Sequence, residues 1–138
     1  MISQPLILIV DDEEAIVTGL SYRLKQAGYR VLGCFTGREG LEAARCADPD
    51  LILLDQCLPE LVGSDVLSEL RRDPATRQIP VVILSGADVR QRDALSAGAA
   101  AFLRKPYRRD ELLDVVESLL AQAESTQRPE SWQTRKLF

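Results

Sequence analysis

Two kinds of apolar pattern alternate along the chain. Leu6-Ile7-Leu8-Ile9-Val10, Leu51-Ile52-Leu53-Leu54 and Val81-Val82-Ile83-Leu84 are unbroken runs of large apolar residues. Short runs of this kind predict strands buried on both faces. Residues 29–35 alternate only weakly and predict a strand at a sheet edge, and residues 100–103 predict a short fifth strand. Between the runs, apolar residues recur at three and four positions. Ile16, Val17, Leu20, Leu24 and Ala27 predict a helix over 13–27, stopped by Gly28. Leu41 and Ala44 predict one over 37–46, capped by Thr36. Val66, Leu67 and Leu70 predict a third over 64–72, broken by Asp73-Pro74. Residues 89–97 predict a fourth that offers only Val89, Ala94 and Leu95, so it should be weakly held. Leu112, Leu113, Val116, Leu119 and Leu120 predict a strongly amphipathic helix over 108–121.

Strand and helix alternate five times with short connections. That order predicts an α/β fold, a parallel sheet covered by helices on both faces. Residues 1–121 form one domain, and the pattern fades into a polar tail over 122–138, too short for a second domain. Trp132, Leu137 and Phe138 could make that tail a partner anchor or, more simply, a linker remnant or a loosely packed end.

Composition narrows the function. Hydrophobic residues make up 46% of the chain and charged residues 28%, an ordinary balance for one compact core. Acids outnumber bases, 21 to 17, so no general nucleic-acid surface is expected. No apolar run reaches membrane-span length, and Met1-Ile2-Ser3-Gln4 lacks the charged start of a signal peptide. Cys34, Cys46 and Cys57 are odd in number and lack CxxC spacing, which fits reduced thiols in a cytoplasmic protein. Cys57 is expected to be a small buried side chain. The chain has no histidine, which excludes a Ser-His-Asp triad or a phosphohistidine relay within it.

The polar residues at the strand ends carry the chemistry. Asp11 and Asp12 follow strand one, Asp55 strand three, Ser85 strand four and Lys105 strand five. In doubly wound sheets ligands bind beyond the carboxyl ends of the strands. If the strand order is 2-1-3-4-5, these five residues share one crevice. Three clustered carboxylates call for a cation, and a hard oxygen site without histidine suits Mg2+. Asp55 could then act as a nucleophile toward phosphorus, with Lys105 and Ser85 receiving the new phosphoryl oxygens. Gly86 would keep the approach open, and Gly63 reads as a hinge. Singly, each of these is an ordinary turn or capping residue; one of the two acids Asp11 and Asp12 could simply cap the first helix. The set of four strand ends points to a site.

Val10-Asp11-Asp12, Asp55-Gln56-Cys57-Leu58-Pro59 with Gly63, Leu84-Ser85-Gly86 and Lys105-Pro106 together resemble the receiver domain of two-component response regulators. The resemblance covers most of the chain and implies a flavodoxin-like sheet in the order 2-1-3-4-5. It implies that Asp55 accepts the phosphoryl group. Asp12 and Asp11 would hold Mg2+ with Asp55, joined by the backbone carbonyl of Cys57. Ser85 and Phe102 would be the switch residues, Lys105 the phosphate-binding lysine, and the Lys105-Pro106 bond is often cis in this family. Implied partners are a histidine kinase or histidine phosphotransfer protein and an output protein, with a homodimer through helix four, strand five and helix five as a further option. Leu58 replaces the usual methionine. Cys57 and Ala87 stand where the family tunes dephosphorylation; neither positions a water well, which points to a long phosphoryl lifetime. The competing classes are a phosphate-independent binding module on the same fold and a small phosphatase using Asp55.

Overall fold

The computed structural model describes residues 4–86 and 91–123. Five strands and five helices alternate: β1 (Leu6–Val10), α1 (Glu14–Gln26), β2 (Arg30–Cys34), α2 (Gly37–Ala47), β3 (Leu51–Asp55), α3 (Gly63–Arg72), β4 (Val81–Ser85), α4 (Gln91–Ser96), β5 (Ala101–Arg104) and α5 (Arg109–Gln122). The strands form one parallel sheet in the order β2-β1-β3-β4-β5. β2 is the edge strand that its weak alternation predicts. Most boundaries differ from the sequence expectation by a residue or two, the ordinary fraying of element ends. Two of the shifts matter, because β3 reaches Asp55 and β4 reaches Ser85. Both polar residues are therefore held inside the ladder, not in the loops after it. The predicted start of the fourth helix at Val89, Ala87, and the tail residues Trp132, Leu137 and Phe138 lie outside the described residues.

Double-sided burial explains why the strand sequences are unbroken apolar runs. Ile7, Ile9, Leu51, Leu53, Val82 and Leu84 face α1 and α5, packing with Val17, Leu20, Leu24, Leu112, Val116 and Leu120. Leu8, Val10, Ile52, Leu54, Val81 and Ile83 face the other layer, with Ala44, Val66, Leu67, Leu70 and Ala94. Every residue of β3 is buried, and each large side chain there contributes about 1.5–3 kcal/mol by leaving water. α4 is the exception among the helices. Its single buried residue is Ala94, so little apolar burial holds it.

The amino-terminal pole of the sheet is pinned by polar contacts. Asp50 donates its backbone N–H to the Leu6 carbonyl (2.8 Å), and its Oδ2 accepts from the Leu6 N–H (2.8 Å). The turn acid thus continues the ladder between β1 and β3. Arg71, in the last turn of α3, donates from Nε to the Gly98 carbonyl and from Nη1 to those of Arg77 and Ile79, each at 3.0 Å. Buried Thr76 donates its hydroxyl to the Leu70 carbonyl at 2.8 Å, satisfying one of the acceptors left open at the end of α3.

Candidate functional site

At the opposite pole, parallel order gathers the strand ends. Asp11 follows β1, its N–H donating to the Cys34 carbonyl of β2 (3.1 Å). Asp55 closes β3, with the next N–H, that of Gln56, donating to the Leu84 carbonyl of β4 (2.9 Å). Ser85 closes β4, and its carbonyl accepts from the Lys105 N–H at 2.8 Å. Asp11, Asp55 and Ser85 are buried, whereas Asp12 is exposed.

Oxygen atoms of Asp11, Asp12 and Asp55 lie within 4.8 Å of one another. The Lys105 ammonium reaches Asp55 Oδ1 at 3.2 Å and Asp11 Oδ2 at 3.5 Å. Burial, then the Asp11 charge, raises the pKa of Asp55 above the ordinary carboxylate value despite Lys105 and a hydrogen bond from the Cys57 N–H. Burial alone would lower the pKa of Lys105, but attraction to Asp55 and Asp11 outweighs it and raises the value. Asp11 does not cap α1 as an N-cap residue; its Oδ1 accepts from the Glu13 N–H at 2.9 Å, with Glu13 in the N-cap position. Asp11 Oδ2, fully buried, has no hydrogen bond. A buried carboxylate oxygen with no hydrogen bond and only the Lys105 ammonium at 3.5 Å beside it, in a cluster of three acids, suits a hard divalent cation such as Mg2+.

Two expectations need correction. The Cys57 side chain is exposed, not buried, because the loop after β3 turns it outward while its backbone N–H faces Asp55. Gly63 is not a hinge. It is buried at the start of α3, and a Cβ there would lie 2.6 Å from the Asp55 carbonyl oxygen and 2.8 Å from Gln56 Cα. Its N–H donates to the Gln56 carbonyl at 2.9 Å, closing the loop at its base. Glycine is required here by close backbone approach. Gly86 is less constrained, since a Cβ would meet the Lys105 side chain at an ordinary 3.6 Å.

Three features carried no usable sequence signal: the turn at Glu60, the Arg104 contact on Phe102 and the half-buried setting of Tyr107. Glu60 has φ 66°, with the Leu61 N–H donating to the Pro59 carbonyl at 2.6 Å, a γ-turn with a positive central φ. The strain sits in the loop that carries the Cys57 peptide past Asp55. Phe102 is half-buried against the core layer of α2 and α3, and the Arg104 guanidinium carbon lies 5.6 Å from its ring centroid. Tyr107 is half-buried on the other layer, its phenol pKa raised by burial. The Lys105-Pro106 bond is cis, as the resemblance implies.

Comparison with known proteins agrees with this geometry. The family model described as response regulator receiver domain matches residues 7–117. The alkaline phosphatase synthesis transcriptional regulatory protein PhoP of Bacillus subtilis is 38% identical over 120 residues, covering 86% of this chain and 49% of PhoP. The DNA-binding dual master transcriptional regulator RpaA of Synechocystis is 40% identical over 118 residues, covering 84% of this chain and 49% of RpaA. The chain thus spans about half the length of these curated relatives. Among solved structures, a CheY-like receiver domain protein from Methanospirillum hungatei superposes with TM-score 0.83 at 29% identity, covering 88% of this chain and 98% of that one. The receiver domain of a Pseudomonas aeruginosa sensor histidine kinase, with magnesium coordinated in its active site cleft, gives TM-score 0.79 at 29% identity over 86% of this chain and 99% of that one. From its strand order, its clustered carboxylates and these matches, the chain belongs to the response regulator receiver domains of two-component signalling.

Proposed function

We propose that the domain, residues 1–121, accepts a phosphoryl group on Asp55 and signals through the face built by α4, β5 and α5. The observation that carries this reading is the Asp55 carboxylate, buried at a strand end, 3.2 Å from Lys105 and grouped with Asp11 and Asp12. Asp11, Asp12, Asp55 and the Cys57 backbone carbonyl would hold Mg2+, which supplies charge neutralisation for the incoming phosphoryl oxygens.

An Asp55 oxygen attacks phosphorus, the bond from phosphorus to the donor's histidine nitrogen breaks, and its electron pair stays on the imidazole. Lys105 neutralises phosphoryl charge and the Ser85 hydroxyl donates a hydrogen bond to it. With no histidine in the chain, the donor is a histidine kinase or histidine phosphotransfer protein in trans. The domain turns over no external substrate; it catalyses its own phosphorylation and hydrolysis. Ser85 and Phe102 then move toward the phosphoryl group and reset the output face, which an output protein or a second copy reads. The poor burial of α4 supports movement there. Residues 122–138 serve as a tail or linker. No helix among the described residues is long and apolar enough to cross a membrane, and the proposed setting is cytoplasmic, without direct nucleic-acid contact.

The test is intact mass after mixing with Mg2+ and a small acyl phosphate. A phosphoryl adduct that disappears in Asp55→Asn supports the receiver. No adduct favours a phosphate-independent binding module, and rapid multiple-turnover release of phosphate favours a phosphatase.

A further inference from the structure

β5 is only four residues long, yet it carries two groups that bear on switching. Phe102 and Arg104 are two residues apart, so their side chains stand on the same face of the sheet. The guanidinium carbon at 5.6 Å from the ring centroid is within cation–π range. Phe102 is half-buried and Arg104 exposed, so the cation covers the ring from the solvent side. In the ladder, Arg104 lies opposite Ser85 and Phe102 opposite Ile83. The next residue, Lys105, holds Asp55. Arginine suits the position, because its planar guanidinium stacks on an aromatic face better than a lysine ammonium does.

A contact shifts an equilibrium only if it differs between the two states. The guanidinium contact is made with the ring half-buried, and it biases the switch only if the switched ring lies beyond its reach. We propose that Arg104 is a latch on Phe102. It holds the ring in its resting place and so limits the fraction of unphosphorylated molecules that occupy the switched arrangement. Arg104 is a positioning residue, acting through Phe102 without touching the reacting atoms. The inference rests on the reading of Phe102 as a switch and adds the residue that sets its resting balance. An exposed cation–π contact corresponds to about a two- to five-fold shift in that balance.

The test uses the full chain with labelled phenylalanine rings. Its three phenylalanines are Phe35, Phe102 and Phe138, and the Phe102 ring signal is assigned by its loss in Phe102→Leu. Wild type, Arg104→Ala and Arg104→Lys are compared with and without Mg2+ and an acyl phosphate, and phosphorylation of each is followed by intact mass. In Arg104→Ala without phosphate, the ring signal is expected to move toward its position in phosphorylated wild type. The switched population and the initial phosphorylation rate should both rise about two- to five-fold, since a donor captures molecules already switched. Arg104→Lys should fall between the two. An Arg104→Ala ring signal and rate equal to wild type, with the wild-type signal moving on phosphorylation, overturns the latch and leaves the switch standing. A wild-type ring signal unchanged by phosphorylation overturns the switch reading, and the latch with it.

Discussion

Gly63→Ala is the most informative single change, because its effect is set by two backbone segments that cannot both give way. The new Cβ would lie 2.6 Å from the Asp55 carbonyl oxygen, 2.8 Å from Gln56 Cα and 3.0 Å from Gln56 Oε1. The side-chain oxygen can swing aside. The Asp55 carbonyl cannot, since it belongs to a strand buried along its whole length. Relief needs a shift of about half an ångström, and overpacking of this kind costs about 1–3 kcal/mol. Alanine's better helix propensity returns up to about 1 kcal/mol at most. A net loss of up to about 2 kcal/mol follows, which lowers Tm by up to about 8 °C in a chain of this size. The displaced Asp55 should also slow phosphorylation by about ten-fold or more, as misplacement of a reacting group by a fraction of an ångström does. Gly19→Ala is the internal control. Gly19 is exposed in the middle of α1, and a Cβ there meets nothing within 4 Å. That substitution should stabilise by about 0.8–1 kcal/mol and leave phosphorylation unchanged. Urea unfolding and intact-mass phosphorylation kinetics on the two variants provide the comparison. A Gly63→Ala protein as stable and as quickly phosphorylated as wild type would refute the reasoning.

Three other outcomes follow from the same geometry. Because the folded pKa of Asp55 is raised, by burial first and the Asp11 charge second, the folded state holds that proton more tightly than the unfolded chain. Its contribution to stability therefore falls as pH rises from the ordinary carboxylate range through the raised value. In metal-free buffer at neutral pH, Asp55→Asn should be more stable than wild type, with the difference vanishing at acid pH; a less stable Asp55→Asn at neutral pH would contradict this sign. Arg71→Met removes three donors from the carbonyls of Gly98, Arg77 and Ile79 and should cost about 2–3 kcal/mol in urea unfolding, discounted for partial exposure; a cost below about 0.5 kcal/mol would mean that water replaces the clamp. Thr76→Val leaves the Leu70 carbonyl without its buried donor and should cost about 1–2 kcal/mol in the same assay, against little effect for Thr76→Ser.

The legible parts of the sequence were those where one physical demand acts on consecutive residues. Leu51 to Leu54 read as a strand because burial on both faces tolerates no polar position. The meeting of Asp11, Asp55 and Lys105 was legible because a parallel sheet sends every strand's carboxyl end to one pole. The weak hold on α4 could be read from its shortage of large apolar residues. What stayed hidden depends on where the chain travels between elements. Gly63 looked like a hinge because its encounter with the Asp55 carbonyl requires the path of the intervening loop. The outward thiol of Cys57 and the positive φ of Glu60 depend on that same path. Arg71 resembled any cation at a helix end, and Asp50 any turn acid. Their partners are carbonyls and amides, which every residue possesses and no side-chain pattern announces.

The parallel register that gathers the reactive groups also decides how the molecule can be attached to anything else. β1 starts at the pole where Asp50 grips Leu6, and α5, running back from the end of β5, finishes at that same pole. Both described ends therefore leave from the side away from Asp55. A fluorescent protein, a surface tether or a second module joined directly before β1 or directly after α5 leaves the donor's approach to Asp55 unobstructed. For anyone building sensors, the domain has a handle at one end and its working groups at the other.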